Sequence, residues 1–221
     1  MNLRENLLHT EERILHACAR SGRKREDVTL VAVTKTHPVE IVREAYDLGL
    51  RDFGENRVQE MLSKTESLPS DIRWHLIGLL QSNKAKYIAP FVHMVHSIES
   101  VSTARELSKR AEQHARTIEI LIEVNVSGEE SKSGIAPIHL PSFLVELQTA
   151  APALKVKGLM TVAPYEENPE RTRPVFARLR ELAAAHSLPH LSMGMTNDFE
   201  VAIEEGATLI RVGSALFGER A

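Results

Sequence analysis

The composition of the chain excludes several classes of protein. Its 221 residues are 43% hydrophobic and 26% charged, which is typical of a globular domain, and no apolar run approaches the roughly 18 residues needed to span a bilayer. A net charge of −3 gives no electrostatic basis for binding nucleic acid, and the one cysteine, Cys18, cannot form an internal disulfide. We therefore expect a single cytoplasmic domain over residues 1–221, without membrane association.

Short apolar runs and helical patterns alternate along the chain. A helical pattern over Leu3–Arg20 precedes the first strand, and the remaining helical patterns include residues 38–49, 100–115 and 173–187. Several apolar runs have few polar residues, which is typical of strands covered on both faces of a parallel sheet. The eight predicted strands lie within residues 28–35, 51–56, 73–78, 94–98, 118–126, 155–162, 190–195 and 208–218.

Eight strands, each followed by a helix except the last, predict a closed (β/α)₈ TIM barrel. An open doubly wound sheet is the competing fold, but its first strand should lead into a glycine-rich phosphate loop, and residues 34–38 contain no glycine. The extra N-terminal helix would either plug the lower mouth of the barrel or lie on its flank. Functional residues in such a barrel lie where strands end, on the carboxyl-terminal face.

Lys35 ends the first apolar run. Its aliphatic stem would run beside the barrel core, and partial desolvation at the mouth would favour the neutral amine. A neutral lysine amine is nucleophilic enough to form a Schiff base with a carbonyl compound. A lysine that simply extends from a strand end into water is the favoured interpretation for this residue taken alone.

Two stretches on the last two strands predict an anion site facing this lysine. A helix is expected to open at Thr196–Asp198, where unpaired N–H groups attract phosphate, and Gly213 would let the backbone approach a ligand closely. Ordinary capping and a turn glycine explain either stretch alone equally well. Together with Lys35 they favour a ligand that carries both a carbonyl and a phosphate, and pyridoxal 5′-phosphate (PLP) is such a ligand.

Two further polar residues end the second and third strands. Asn56 and His75 would line the ring of the ligand or its phenolic oxygen, although a hydrogen-bonded core histidine is an equally good interpretation of His75. The pair His93 and His96 has no third ligand nearby and does not indicate a metal site.

At these residues the sequence resembles the pyridoxal phosphate homeostasis protein family, the PLP-binding barrels related to the N-terminal domain of alanine racemase. The blocks VAVTKTHP, DFGENRVQE, WHLIGLLQSNK, VHSIES, VNVSGEESKSGI, GLMTV, LSMGMTND and IRVGSALFG follow the order of the family over nearly the whole chain. The resemblance implies a fold-type III barrel with PLP held as an internal aldimine on Lys35, and it matches Asn56 to a ring-contacting position. The matched phosphate-side positions are Ser192, Thr196, Arg211 and Gly213.

The chain departs from the family pattern after the seventh strand. It has Thr196 and Asn197 where the family commonly has a serine followed by an acid. Thr196 keeps a hydroxyl for the phosphate, whereas the effect of Asn197 stays open.

The resemblance implies a PLP carrier more than an enzyme. Alanine racemase uses a tyrosine from a second domain of a partner subunit, whereas here the sequence leaves little room after the eighth strand and only Tyr165 is expected near the mouth. We therefore expect a monomer that buffers PLP, or delivers it to apo-PLP enzymes, without substrate turnover. The alternatives are a PLP-dependent amino-acid racemase or other small PLP enzyme, and a barrel that binds a different phosphorylated metabolite without a covalent bond.

Overall fold

Eight parallel strands close into a barrel in the computed structural model, which describes residues 2–129 and 131–218. Each strand pairs with the next, and β8 pairs with β1 from Thr29↔Leu209 to Ala32↔Val212. The predicted TIM barrel is therefore confirmed. The strands are β1 Thr29–Val33, β2 Asp52–Glu55, β3 Arg73–Leu76, β4 Met94–Ile98, β5 Ile118–Glu123, β6 Leu154–Met160, β7 His190–Ser192 and β8 Leu209–Val212.

Helices cover the outside of the barrel. In the described residues they are α1 Leu3–Arg20, α2 Val39–Asp47, α3 Val58–Thr65, α4 Ala85–Ile88, α5 Val101–Gln113, α6 Leu140–Ala150, α7 Arg173–Ala185, α8 Phe199–Glu204 and α9 Ser214–Phe217. The prediction that no helix follows the last strand is wrong, because α9 follows β8. This short helix is held by burial of Leu216 and by a ring contact of 5.0 Å between Phe217 and His37.

Helix α1 lies on the flank of the barrel and packs against α8 and α9. Its apolar face buries Ile14 completely. Hydrogen bonds join its polar residues to both helices: Arg13 Nε donates to Glu200 Oε1 of α8 at 2.7 Å, and Asn6 Nδ2 donates to the Leu216 carbonyl of α9 at 2.9 Å. Of the two predicted placements for this helix, the flank is correct.

The apolar core has two parts. The larger part lies between strands and helices and includes Phe53, Phe176 and Phe199, all fully buried. A smaller cluster, formed by Val31, Met94, Leu121, Met160 and Leu209, faces the interior of the barrel. Among the described residues, no helix combines the length and apolarity that a membrane span requires.

Candidate functional site

Lys35 lies in a tight turn just beyond β1. The strand ends at Val33, two residues earlier than the predicted run, and the lysine is half-buried. The next residue, Thr36, has a φ of 67°, a left-handed conformation that β-branched residues rarely adopt. Such strain persists only where surrounding contacts hold it, and it is often found at functional sites.

Helix α3 holds this turn from the outside. Lys64 Nζ donates to the Thr34 carbonyl at 2.8 Å and to Glu55 Oε1 at 2.6 Å, and Thr34 Oγ1 donates to the same carboxylate oxygen at 2.6 Å. On the far side of the turn, the backbone N–H of Thr36 donates to Glu60 Oε1. The backbone is therefore fixed immediately before and immediately after the candidate nucleophile.

The pair formed by Glu55 and Lys64 is buried. Burial raises the pKa of Glu55 above its usual range, against the opposing effect of the hydrogen bonds from Lys64 and Thr34. Among the described residues, Glu55 Oε2 has no hydrogen-bond partner. Because burying two charges and leaving one oxygen without a partner costs free energy, this pair does not serve stability alone. We interpret it as an interaction that holds the backbone of the turn in one conformation.

The ends of the strands on either side bring further predicted site residues close to this turn. In the barrel, β1 pairs with β2 on one side and with β8 on the other. Asn56 is the first residue after β2, and Gly213 is the first residue after β8. Lys35, Asn56 and Gly213 therefore lie at three adjacent strand ends on the carboxyl-terminal face.

A pair of hydroxyl groups joins the turn after β7 to the first residue of α9. Thr196 Oγ1 and Ser214 Oγ are 3.2 Å apart, and the backbone N–H of Ala215 donates to Thr196 Oγ1 at 3.4 Å. The helix start predicted within Thr196–Asp198 lies at the last of these residues, because α8 begins at Phe199 with Asp198 as its N-cap residue. Thr196 therefore lies in a turn before a six-residue helix, and the groups that could bind an anion at this position are hydroxyls more than a helix end.

Neighbouring residues approach the backbone most tightly in this region at Gly194, whereas the approach of a ligand at Gly213 stays a prediction. Gly194 has a φ of 90°, and a Cβ atom there would lie 2.5 Å from the Cβ of Ala202. At Gly213 a Cβ atom would lie 3.4 Å from the Val33 carbonyl oxygen, an ordinary van der Waals contact, and φ is −116°. The turn after β7 therefore requires glycine at position 194.

Ser192 and Arg211 lie in the interior of the barrel. Both are buried; Arg211 Nη1 donates to Ser192 Oγ at 2.5 Å, and Arg211 Nη2 donates to the Thr161 carbonyl at 2.9 Å. Burial lowers the pKa of Arg211 to about 10. The structure thus brings these two predicted site residues into direct contact, with the guanidinium enclosed by the barrel.

His75 is a hydrogen-bonded core histidine. Its Nδ1 lies 2.9 Å from His96 Nε2, and its Nε2 lies 3.0 Å from Asp52 Oδ1. It also lines a cavity of about 510 Å³ at the lower mouth, where the amino-terminal ends of the strands meet. The structure therefore does not bring His75 together with Lys35 at the upper mouth, because both of its ring nitrogens are engaged inside the barrel.

Glu123 is a titratable group at the end of β5 that the sequence analysis does not single out. Burial raises its pKa to about 7, with a further increase from the neighbouring Glu99 and an opposing effect of Arg211. Glu99 is itself held in place, because its Oε2 accepts a hydrogen bond from the Gly134 N–H at 2.7 Å. The interior below the upper mouth therefore contains a carboxyl group that titrates near neutral pH.

Comparison with known proteins identifies the family. The alanine racemase N-terminal domain family matches residues 10–221. A pyridoxal phosphate homeostasis protein of Aquifex aeolicus is 50% identical over 227 aligned positions, which cover 100% of this chain and 99% of that protein. The chain belongs to the pyridoxal phosphate homeostasis protein family. The resemblance predicted from the sequence blocks is thereby confirmed.

Solved structures agree with this assignment. PipY of Synechococcus elongatus, in a structure with PLP bound, is 37% identical to this member of the pyridoxal phosphate homeostasis protein family, with a TM-score of 0.80 and coverage of 94% of this chain and 99% of that one. An alanine racemase of Clostridium difficile has a TM-score of 0.75 at 13% identity, covering 99% of this chain and 57% of the racemase. The second likeness shows the shared barrel fold alone.

The residue that departs from the pattern of the pyridoxal phosphate homeostasis protein family has a structural contact of its own. Asn197 is exposed, and its Nδ2 donates to the Glu166 carbonyl at 2.8 Å, which joins the loop after β7 to the loop after β6. Next to it, Lys132, Tyr165 and Met195 line a small groove on the rim. Asn197 thus connects two rim loops through a side-chain hydrogen bond.

Proposed function

We propose that this protein binds PLP through a Schiff base on Lys35 and holds it for buffering or delivery. The observation that carries the proposal is the half-buried lysine in a strained turn that α3 fixes on both sides. Membership of the pyridoxal phosphate homeostasis protein family supports it, as does the PLP-bound structure of PipY.

The residues around this turn fit the cofactor. When bound, PLP supplies an aldehyde that condenses with the lysine amine with loss of one water. Thr196, after β7, and Ser214, after β8, present two hydroxyls that can donate to a phosphate, and β8 neighbours β1. Arg211 contributes a buried positive charge below them, and Asn56 flanks the site from the other side. Lys64 and Glu60 hold the backbone of the turn in place.

A carrier role fits the exposure of the rim better than turnover does. Tyr165 is the tyrosine nearest the mouth, and it is 81% exposed. PLP chemistry generally requires that water is excluded from the reacting centre. We propose that the protein releases PLP to apo-PLP enzymes, and that it acts as a cytoplasmic monomer.

One observation favours the alternative of an amino-acid racemase or another small PLP enzyme. Glu123, with its pKa near 7, has the proton affinity expected of a general acid or base. Incubation of the PLP-loaded protein with L- and D-alanine in deuterated water distinguishes the two functions. Sustained exchange of the α-proton would replace the carrier proposal with an enzymatic one, whereas a carrier shows no exchange above that of free PLP.

Borohydride reduction followed by peptide mass mapping tests the covalent bond. We expect the reduced protein to carry one PLP-derived label on the peptide that contains Lys35, and the visible absorbance band of the complex to be absent in Lys35→Ala. Lys132→Ala is the matched control, because Lys132 is also a half-buried lysine on the rim, and it should keep both the band and the label. A label on Lys132, or no label at all, would overturn the proposal.

A further inference from the structure

A continuous chain of hydrogen-bonded side chains crosses the interior of the barrel. It begins at the lower mouth and ends at Arg211, below the proposed ligand site. Consecutive contacts measure 3.0, 2.9, 2.8 and 2.5 Å. The members of this interior chain, in order, are Asp52, His75, His96, Ser192 and Arg211.

The interior chain is almost completely shielded from water. His96 and Ser192 have no exposed surface, His75 is 1% exposed and Arg211 is 4% exposed. Its lower end is anchored from outside, because Arg73 Nε donates to Asp52 Oδ1 at 2.7 Å. A buried polar network of this kind is favourable only when each member has its partners, and then it holds its members in one arrangement.

The lower end of the chain fixes the direction of its first hydrogen bond. The hydrogen bonds from His75 and Arg73 lower the pKa of Asp52 to about 2, in spite of its burial. Asp52 is therefore an ionised carboxylate that can only accept hydrogen bonds, so His75 must donate from Nε2. If His75 carries only this proton, it accepts at Nδ1 from His96 Nε2–H. The same reasoning leaves Nδ1 of His96 as an acceptor for the hydroxyl proton of Ser192.

The upper end is consistent with this direction. A guanidinium can only donate, and Arg211 donates to Ser192 Oγ. The Ser192 hydroxyl can accept from Arg211 and at the same time donate to His96 Nδ1. His96 is suited to the neutral form, because burial holds its pKa well below its usual range, with smaller effects in the same direction from His75 and Arg211.

We propose that Asp52, His75 and His96 are positioning residues for Arg211. By directing the hydroxyl proton of Ser192 away from the guanidinium, they present a lone pair to Arg211 Nη1 and keep this flexible side chain in one orientation. This inference rests on the proposed function, because Arg211 affects PLP only if PLP binds above it. A contact at the lower mouth is thereby linked to the ligand site through the barrel.

The direction of the chain can be measured without any ligand. Nitrogen-15 NMR of the cofactor-free protein reports which ring nitrogen of each histidine carries the proton. We expect His75 and His96 both to be neutral, protonated at Nε2 and unprotonated at Nδ1. A proton on Nδ1 of His96 would reverse its bond to Ser192 and overturn the proposal, whether or not the protein binds PLP.

The positioning role is tested by two substitutions of the same residue. His75→Leu breaks the chain, and we expect a dissociation constant for PLP about fivefold to tenfold higher, as for loss of one buried hydrogen bond, with a shifted absorbance band of the bound PLP. His75→Gln keeps an amide that can accept from His96 and donate to Asp52, so its affinity should stay within about twofold of the wild type.

His93→Leu is the matched control, because His93 lies beside His75, with ring centroids 5.3 Å apart, yet is not a member of the chain. It should leave affinity and absorbance unchanged. Wild-type affinity and absorbance in His75→Leu, or an equal loss in His93→Leu, would show that the chain only stabilises the fold. If His75→Leu does not fold, His75→Gln and the NMR measurement on the wild type decide the question. Failure of the wild type to bind PLP would instead reject the proposed function.

Discussion

Replacing Glu123 by glutamine should change how the stability of the protein depends on pH. The carboxyl group is 7% exposed at the end of β5, and burial raises its pKa from 4.5 to about 7. The folded chain therefore keeps a proton that the unfolded chain has already released over this range. The sign follows from linkage: the free energy of unfolding falls as pH rises from about 4.5 to about 7.

The size of the effect follows from the same two values. Each pKa unit corresponds to about 1.4 kcal/mol, so the step from 4.5 to about 7 amounts to about 3 kcal/mol. Glutamine at position 123 has no proton to lose and removes this dependence. Relative to the wild type, Glu123→Gln should therefore gain about 2–3 kcal/mol between about pH 5 and about pH 8, because part of the step lies below pH 5.

Urea unfolding of both proteins at the two pH values measures this difference by linear extrapolation. Glu112→Gln serves as a control, because Glu112 is exposed near the end of α5 and should give the same difference from the wild type at both pH values. If the difference between Glu123→Gln and wild type changes by less than about 1 kcal/mol from about pH 5 to about pH 8, Glu123 is not a buried acid that titrates near neutrality.

Three further substitutions test other features of the site. Lys64→Met leaves the buried Glu55 carboxylate without its cation, so it should lower the free energy of unfolding by about 3–5 kcal/mol and the melting temperature by about 6–12 °C. Lys109→Met on the exposed face of α5 should have little effect, and a loss below about 1 kcal/mol in Lys64→Met would contradict the ion pair. Gly194→Ala adds a steric clash to an unfavourable φ, so urea unfolding should show a free energy of unfolding lower by at least about 2 kcal/mol. Gly49→Ala, where φ is 103° but no atom lies close, should lose less, and equal losses of stability in the two variants would exclude the clash. Lys35→Ala removes no core packing, so calorimetry of the cofactor-free protein should show a melting temperature within about 2 °C of the wild type, and a large decrease would indicate a structural role.

The barrel could be predicted because its signal is local. Strands covered on both faces need apolar side chains on both, and helices that cover a sheet need one apolar stripe, so each element is readable within its own residues. The end of β1 could not be placed in this way. It depends on Thr36, whose left-handed backbone is held by Glu60 of α3 and has no signature in the apolar run itself.

The contacts around the predicted lysine were less accessible to sequence reasoning. Lys64 lies in the last turn of an amphipathic helix, where a lysine is ordinarily in water, yet it is 4% exposed and donates a hydrogen bond to the Thr34 carbonyl. The bond between His96 and Ser192 joins residues that are 96 positions apart, and it exists only because the barrel closes. Buried polar pairs of this kind depend on the three-dimensional structure, and a lone histidine in an apolar run does not reveal its partner.

The docking of α1 has a consequence for folding during synthesis. Its partner Glu200 follows Arg13 by 187 residues, so at a translation rate of about 5–20 residues per second the surface that receives α1 emerges about 10–40 s later. During this interval the apolar face around Ile14 is without its native cover. A late step in the folding of the nascent protein is then the meeting of an early helix with α8, which follows the turn that contains Thr196, and with α9, which begins at Ser214. A ribosome-bound chain halted before residue 200 should therefore expose α1 to proteases and chaperones.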